Sequence, residues 1–231
     1  MLATVLHPET AAAGCLAAEV LAAARDDGGL SALDRIGSVI TLRRDRALFR
    51  EGDSAKDCHK VLTGALRSCR LLPDGRRHIG EFLLPGDFIG LDLDATRRFT
   101  AEAVSDATLM RYPQVAVERL IQQQPKLGKR LLAEVWNGLS AAQAQLLLLG
   151  RKNAVERVAS FLLLMAQRAG DGDHFCLPMT RNDIADHLGL TTETVSRTFG
   201  QLKSQGVIRL AASSQVVLRD RVELEALAEA A

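Results

Sequence analysis

Hydrophobic and polar positions change their rhythm near residue 112. Before it, from about Leu30 to Met110, short apolar runs are broken by turn signals at Glu51-Gly52-Asp53, Gly64, Pro73-Asp74-Gly75 and Pro85-Gly86-Asp87. Runs such as KVLTGALRSCRLL and HIGEFLL read as short strands, and many short strands parted by glycine-containing turns predict a sandwich or barrel. Asp74-Gly75, between Arg70-Leu71-Leu72 and His78-Ile79, predicts a hairpin.

After Tyr112-Pro113 the period becomes helical. Gln114–Gln124 predicts a short helix stopped by Pro125. Lys126–Gly150 carries Leu131, Val135, Leu139, Ala142, Leu146 and Leu149 at steps of three and four. That is an apolar stripe on a helix of roughly 25 residues, about 37 Å long. A helix of this length between two compact parts covers its stripe most simply against a second copy, so a homodimer is expected. Asn153–Ala169 predicts another helix, closed by Gly170-Asp171-Gly172. Near the end, Ile208-Arg209-Leu210 and Val216-Val217-Leu218 flank Ala211–Gln215 as a hairpin in the position of a wing. The expected layout is a tail at 1–29, a β domain at 30–112, a helical segment at 113–150 and a C-terminal domain at 151–231. The Ala-rich start reads as a tail or a short helix ending near Gly28-Gly29.

Composition narrows the function classes. The 231 residues are 47% hydrophobic with a mean hydropathy of +0.04, enough for two modest cores. Aromatics make up 4%, so those cores rest on Leu, Val, Ile and Ala. The formal net charge is +1, and residues 151–231 hold ten Lys+Arg against ten Asp+Glu. Any affinity for nucleic acid must therefore come from where charges sit and from pairing two copies, not from bulk charge. No apolar run reaches the 18 or so residues of a membrane span, and the start lacks the early positive cluster of a signal peptide. Cys15, Cys58, Cys69 and Cys176 are scattered without a C-x-x-C, which suits reduced thiols in the cytoplasm. Five histidines without an H-x-H pattern give no ligand set for a metalloenzyme, so no catalytic residues and no metal are expected. Cys58, His59, Cys69 and His78 likewise lack coordination spacing, and ordinary packing is the expectation for them.

Thr180–Val207, TRNDIADHLGLTTETVSRTFGQLKSQGV, is the most specific segment. Two short helices joined by a tight turn need a small residue where they approach, and Ala185 supplies it. The turn needs a residue that tolerates positive φ, supplied by Gly189. Ile184, Leu188, Leu190, Val195 and Leu202 fall at offsets that lock the pair, and Thr191 can cap the second helix. Glu193, Ser196 and Arg197 then stand at i, i+3 and i+4 on one face. In a major groove, Arg197 can give a bidentate hydrogen bond to guanine, Glu193 can accept from cytosine N4, and Ser196 can bond a neighbouring base. Arg181, Thr191 and Thr194 lie where phosphates would pass and are expected to set register. Double-stranded DNA is the expected partner.

The chain is similar to the CRP/FNR superfamily of bacterial transcription regulators, in its FNR/FixK-like branch. The resemblance rests on LPGDFIG (Leu84–Gly90), the long central helix, and MTRNDIADHLGLTTETVSR (Met179–Arg197) with its E-T-V-S-R pattern. It implies an α+β fold: an N-terminal double-stranded β-helix, a jelly roll like the cyclic-nucleotide-binding domains, then a long dimerisation helix and a C-terminal winged helix-turn-helix. It also implies a homodimeric activator that binds a palindromic TTGAT-like site and recruits RNA polymerase, with Asp74, Gly75 and Arg76 resembling a polymerase-contact loop. The departures are informative. Only Cys15 stands near the start, so the clustered thiolates of an iron–sulfur sensor are missing. Leu91-Asp92 and Phe99-Thr100-Ala101 stand where relatives that bind cyclic nucleotides carry Gly-Glu and Arg-Ser. Arg97-Arg98 reads as solvated loop charge. A regulator without bound cofactor is expected; the alternative is a haem- or small-molecule-gated regulator sensing oxygen or nitrogen oxides through the β-roll. Cys176, just before the helix-turn-helix, is a candidate redox thiol with His174 beside it.

Overall fold

The computed structural model describes residues 30–92, 94–170, 172–212 and 214–229, so the expected tail or Ala-rich helix at 1–29 lies outside them. The first element among the described residues is a helix where β texture was expected: α1 spans Leu30–Ile36. Leu30, Leu33 and Ile36 sit three apart and so share one helical face. Leu33 is fully buried, and Leu30 and Ile36 pack with it.

Eight strands follow: β1 (Ser38–Leu42), β2 (Ala47–Phe49), β3 (Asp57–Thr63), β4 (Leu66–Leu71), β5 (Arg77–Leu83), β6 (Phe88–Ile89), β7 (Thr100–Ala103) and β8 (Ala107–Pro113). They form two four-stranded sheets, ordered β1-β8-β3-β6 and β2-β7-β4-β5, the non-sequential antiparallel order of a double-stranded roll. The turn between β3 and β4 requires glycine. Gly64 has φ +80°, and a Cβ there would lie 2.3 Å from the Asp106 carbonyl oxygen.

The helices are α2 (Gln114–Gln123), α3 (Pro125–Arg151), α4 (Ala154–Arg168), α5 (Arg181–Leu188), α6 (Thr192–Ser204) and α7 (Arg221–Glu229). Pro125 opens the 27-residue α3, where its missing N–H costs nothing. Three short strands, β9 (His174–Cys176), β10 (Ile208–Leu210) and β11 (Gln215–Leu218), pair in the order β10-β11-β9. The expected two-stranded wing thus gains a third strand, with Gln215 opposite Cys176.

By contact the chain falls into two compact units. Of the described residues, one holds 30–66 with Leu83–Val135; the other holds Arg67–Phe82 with those from Trp136 onward. In the first, Val61, Leu66, Leu83, Ala101 and Leu109 fill the roll, while Leu33, Cys58, Tyr112, Leu127 and Leu131 form a second apolar cluster. In the second, Phe161, Leu162, Leu177, Ile184, Leu188, Val195 and Leu202 are all essentially inaccessible. Burying each such side chain contributes about 1.5–3 kcal/mol.

Candidate nucleic-acid interface

Local chemistry builds the two helices of the helix-turn-helix. At the start of α5, Thr180 Oγ1 accepts from the Asp183 N–H at 3.1 Å, and Asp183 Oδ2 accepts from the Thr180 N–H at 3.0 Å. This reciprocal cap satisfies two otherwise orphaned donors. Gly189 ends the helix in the left-handed region, φ 62°, with its N–H donating to the Ala185 carbonyl. Thr191 then caps α6, its Oγ1 accepting from the Thr194 N–H at 3.2 Å.

Those caps fix the rotation of α6. Val195, Thr198, Phe199 and Leu202 face inward and are buried, whereas Glu193, Ser196 and Arg197 are exposed together. The Glu193 carboxyl is held below its ordinary range, first by its own backbone N–H, then by the Thr191 hydroxyl, with Arg197 adding to it. It is therefore an acceptor at neutral pH. Arg197 Nη2 lies 3.5 Å from Thr194 Oγ1, and Thr194 Oγ1 lies 3.0 Å from Thr191 Oγ1. Thr191 is exposed and Thr194 half-buried at the start of the same helix. Arg181, half-buried, stacks its guanidinium on Phe199, and burial lowers its pKa to about 10, leaving it charged. A carboxylate, a hydroxyl and a guanidinium projecting side by side from a helix's first turns offer an acceptor, a two-way group and a forked donor to base edges.

Sequence reasoning missed Arg157. Its Nε donates to the Lys152 carbonyl at 2.8 Å, Nη1 to Leu188 at 2.9 Å and Nη2 to Leu149 at 2.9 Å. One guanidinium so satisfies the ends of α3 and α5, carbonyls that a helix terminus otherwise leaves open. Nothing local marks it, because Leu188 lies 31 residues away. Asn153 and Glu156 form a second reciprocal cap at the start of α4, which the Asn-x-x-Glu spacing could have revealed.

The remaining candidates lie elsewhere. Cys176 is exposed on β9, with Sγ 3.8 Å from Ser214 Oγ. Asp74, Gly75 and Arg76 form a tight turn in which the Leu72 N–H donates to the Arg76 carbonyl at 2.7 Å, Gly75 takes φ +85°, and Arg76 pairs with Asp74 at 2.7 Å. Cys58 packs against Tyr112 and Leu127, while His59, the next residue along β3, lies near the Phe49 ring. Among the described residues no group of three or more His, Cys, Asp or Glu is placed to hold a metal ion. On α3, Leu132, Val135, Trp136, Leu139, Leu146 and Leu147 are all 45% exposed or more. Leu131, expected on the same stripe, is instead buried in the first unit.

Arg97 departs from expectation. It is 4% exposed, not solvated. Its Nη1 donates to Asp92 Oδ2 at 2.7 Å and to the Gly90 carbonyl at 3.2 Å, and its Nη2 donates to the Asp57 carbonyl. The guanidinium lies 4.2 Å from the Phe49 ring centroid. A Cβ on Gly90 would fall 2.5 Å from Arg97 Nη1. The partners come from three separate stretches of chain, which is why the loop reading failed. A cyclic nucleotide brings a phosphodiester, whereas the Nη1 and Nη2 donors of this arginine are held by a carboxylate and two carbonyls, and its buried Nε has no hydrogen-bond partner.

Two family models match: the cyclic nucleotide-binding domain over residues 39–124 and the Crp-like helix-turn-helix domain over residues 156–227. The chain is 43% identical over 197 residues to the nitrogen fixation regulation protein FixK of Azorhizobium caulinodans, covering 83% of this chain and 79% of that protein. It is 38% identical to the transcriptional activatory protein AadR of Rhodopseudomonas palustris, covering 85% and 84%. Among solved structures, FixK2 from Bradyrhizobium japonicum superposes with a TM-score of 0.81 at 41% identity, covering 85% of this chain and 99% of that one. With its roll, its capped pair of helices and its three-stranded wing, the chain belongs to the Crp/FNR family as a FixK-type transcription regulator with a DNA-binding helix-turn-helix.

Proposed function

We propose that two copies of this chain bind a palindromic DNA site with TTGAT-like half-sites and activate transcription by recruiting RNA polymerase. The observation that carries this reading is the common exposure of Glu193, Ser196 and Arg197 on a helix whose other face is buried. Arg197 reads guanine, Glu193 the N4 amino group of cytosine and Ser196 a neighbouring base, while Arg181, Thr191 and Thr194 hold phosphates. The apolar side chains left exposed along α3 supply the homodimer seam, and a two-fold protein matches a two-fold site. The turn at Asp74-Gly75-Arg76 is the polymerase contact.

The protein works in the cytoplasm without an iron–sulfur cluster or cyclic nucleotide, and not as an enzyme. The scattered cysteines offer an iron–sulfur cluster no clustered ligands, and Arg97 Nη1 and Nη2 are held by Asp92 and two carbonyls rather than left for a phosphate. Cys176, exposed on the third strand of the wing, is a site at which oxidation would hinder DNA binding. The test is selection of bound duplexes from a random pool by the full-length protein. Enrichment of inverted TTGAT-like repeats is the expected result, and a featureless pool would overturn the reading.

A further inference from the structure

The hairpin residues Arg67–Phe82 belong to the second unit, and charged side chains attach them to α5. Arg67 Nη1 donates to Asp183 Oδ1 at 3.0 Å, the two side chains being 9% and 3% exposed. Arg77 Nη2 donates to the same oxygen at 2.8 Å and also lies 2.8 Å from Asp186 Oδ2, to which its Nε donates at 2.9 Å. One helical turn on, His187 Nδ1 donates to the Ile79 carbonyl at 3.0 Å, with its ring edge-on to Phe82.

Capping alone does not require this arrangement, because an N-terminal Asp caps as well in water. Asp183 is instead enclosed, with both oxygens used: Oδ2 for the cap and Oδ1 for two arginines. Paired charges this buried add little net stability over an apolar contact of the same size. What they add is direction, since a forked guanidinium meets two carboxylates in few orientations. The helix so held is the one on which α6 rests. Arg181 stacks on Phe199, and Thr192 Oγ1 donates to Asn182 Oδ1 at 3.0 Å.

We propose that Arg77 and Asp186 are positioning residues for DNA reading: through them the hairpin orients α5, and α5 orients the recognition helix. This rests on the reading above that α6 reads bases. The two residues act through the placement of Glu193, Ser196 and Arg197 rather than through their own charge at the DNA.

The full-length protein is titrated, by fluorescence anisotropy, against a duplex carrying two inverted TTGAT half-sites and against a scrambled duplex of equal length and composition. Arg77→Gln removes a positive charge and Asp186→Asn a negative one, so a bulk charge effect moves their affinities in opposite directions. Positioning makes both variants lose specific-over-scrambled preference, by roughly three- to thirtyfold. Arg77→Lys, which keeps the charge but not the fork, recovers only part of it. Opposite shifts, or wild-type preference in both variants, would overturn the proposal. A wild-type protein without any preference would instead sink the base-reading assignment on which it stands.

Discussion

The Arg181 guanidinium carbon stands 3.4 Å from the centroid of the Phe199 ring, so the first residue of α5 lies flat on the buried middle of α6. A partly desolvated stack of this kind contributes about 1 kcal/mol, and it also holds the charge at the edge of the helix pair. Replacing Arg181 with Ala should weaken binding to unrelated duplexes as well as to the specific one. It should reduce the slope of log affinity against log salt by about one. Loss confined to the specific duplex would argue against a phosphate contact.

Arg197 makes a different demand. If its fork meets guanine O6 and N7, a half-site carrying 7-deazaguanine at the contacted position should cost the wild type about 1 kcal/mol or more of discrimination. Arg197→Ala, having lost the fork, should not distinguish the modified duplex from the natural one. Competition titrations with both duplexes give the comparison directly, and equal sensitivity in the two proteins would contradict base reading by Arg197.

The exposed face of α3 can be tested without DNA. Val135 is 49% exposed and Leu146 71%, and both lie on the expected seam. Changing both to Lys places like charges where two copies would meet. Sedimentation should then report a monomer, and binding to an inverted repeat should weaken by at least tenfold because one half-site alone remains engaged. A dimer that survives these changes would move the seam elsewhere.

His59 predicts a pH dependence. It is 5% exposed, and burial first, then the Arg97 charge, lowers its pKa from 6.5 to about 4. Between those values the unfolded chain binds a proton that the folded chain does not, so stability falls as pH drops from 6.5 to 4. The loss approaches about 1.4 kcal/mol per pH unit within that window, on the order of 3 kcal/mol in all. Urea unfolding of wild type and His59→Gln at pH 7, 6 and 5 isolates this contribution from that of the carboxylates. Parallel slopes in the two proteins would show that His59 is not the group responsible.

The helix-turn-helix was legible because its determinants are local. Gly189 and Thr191 each act within four residues of their own position, and the apolar offsets around them decide which face is buried. The strands of the roll were legible as a texture of turns, though not their order, which depends on pairings such as Ser38 with Arg111. Helix α1 was missed because three apolar residues at steps of three make a short signal beside the β pattern that follows. Arg97, Arg157 and Arg77 were illegible for one shared reason. A guanidinium declares its role through its acceptors, and these lie up to 40, 31 and 109 residues away.

The bare apolar flank of α3 carries a consequence for dosage. If two copies must pair there, as proposed, before holding a two-fold operator, occupancy rises with the square of monomer concentration while pairing is weak. Doubling synthesis would then raise the paired form about fourfold, so a promoter reading this protein would respond more steeply than the supply that feeds it. On that proposal a thresholded output would follow from six apolar side chains and mass action alone.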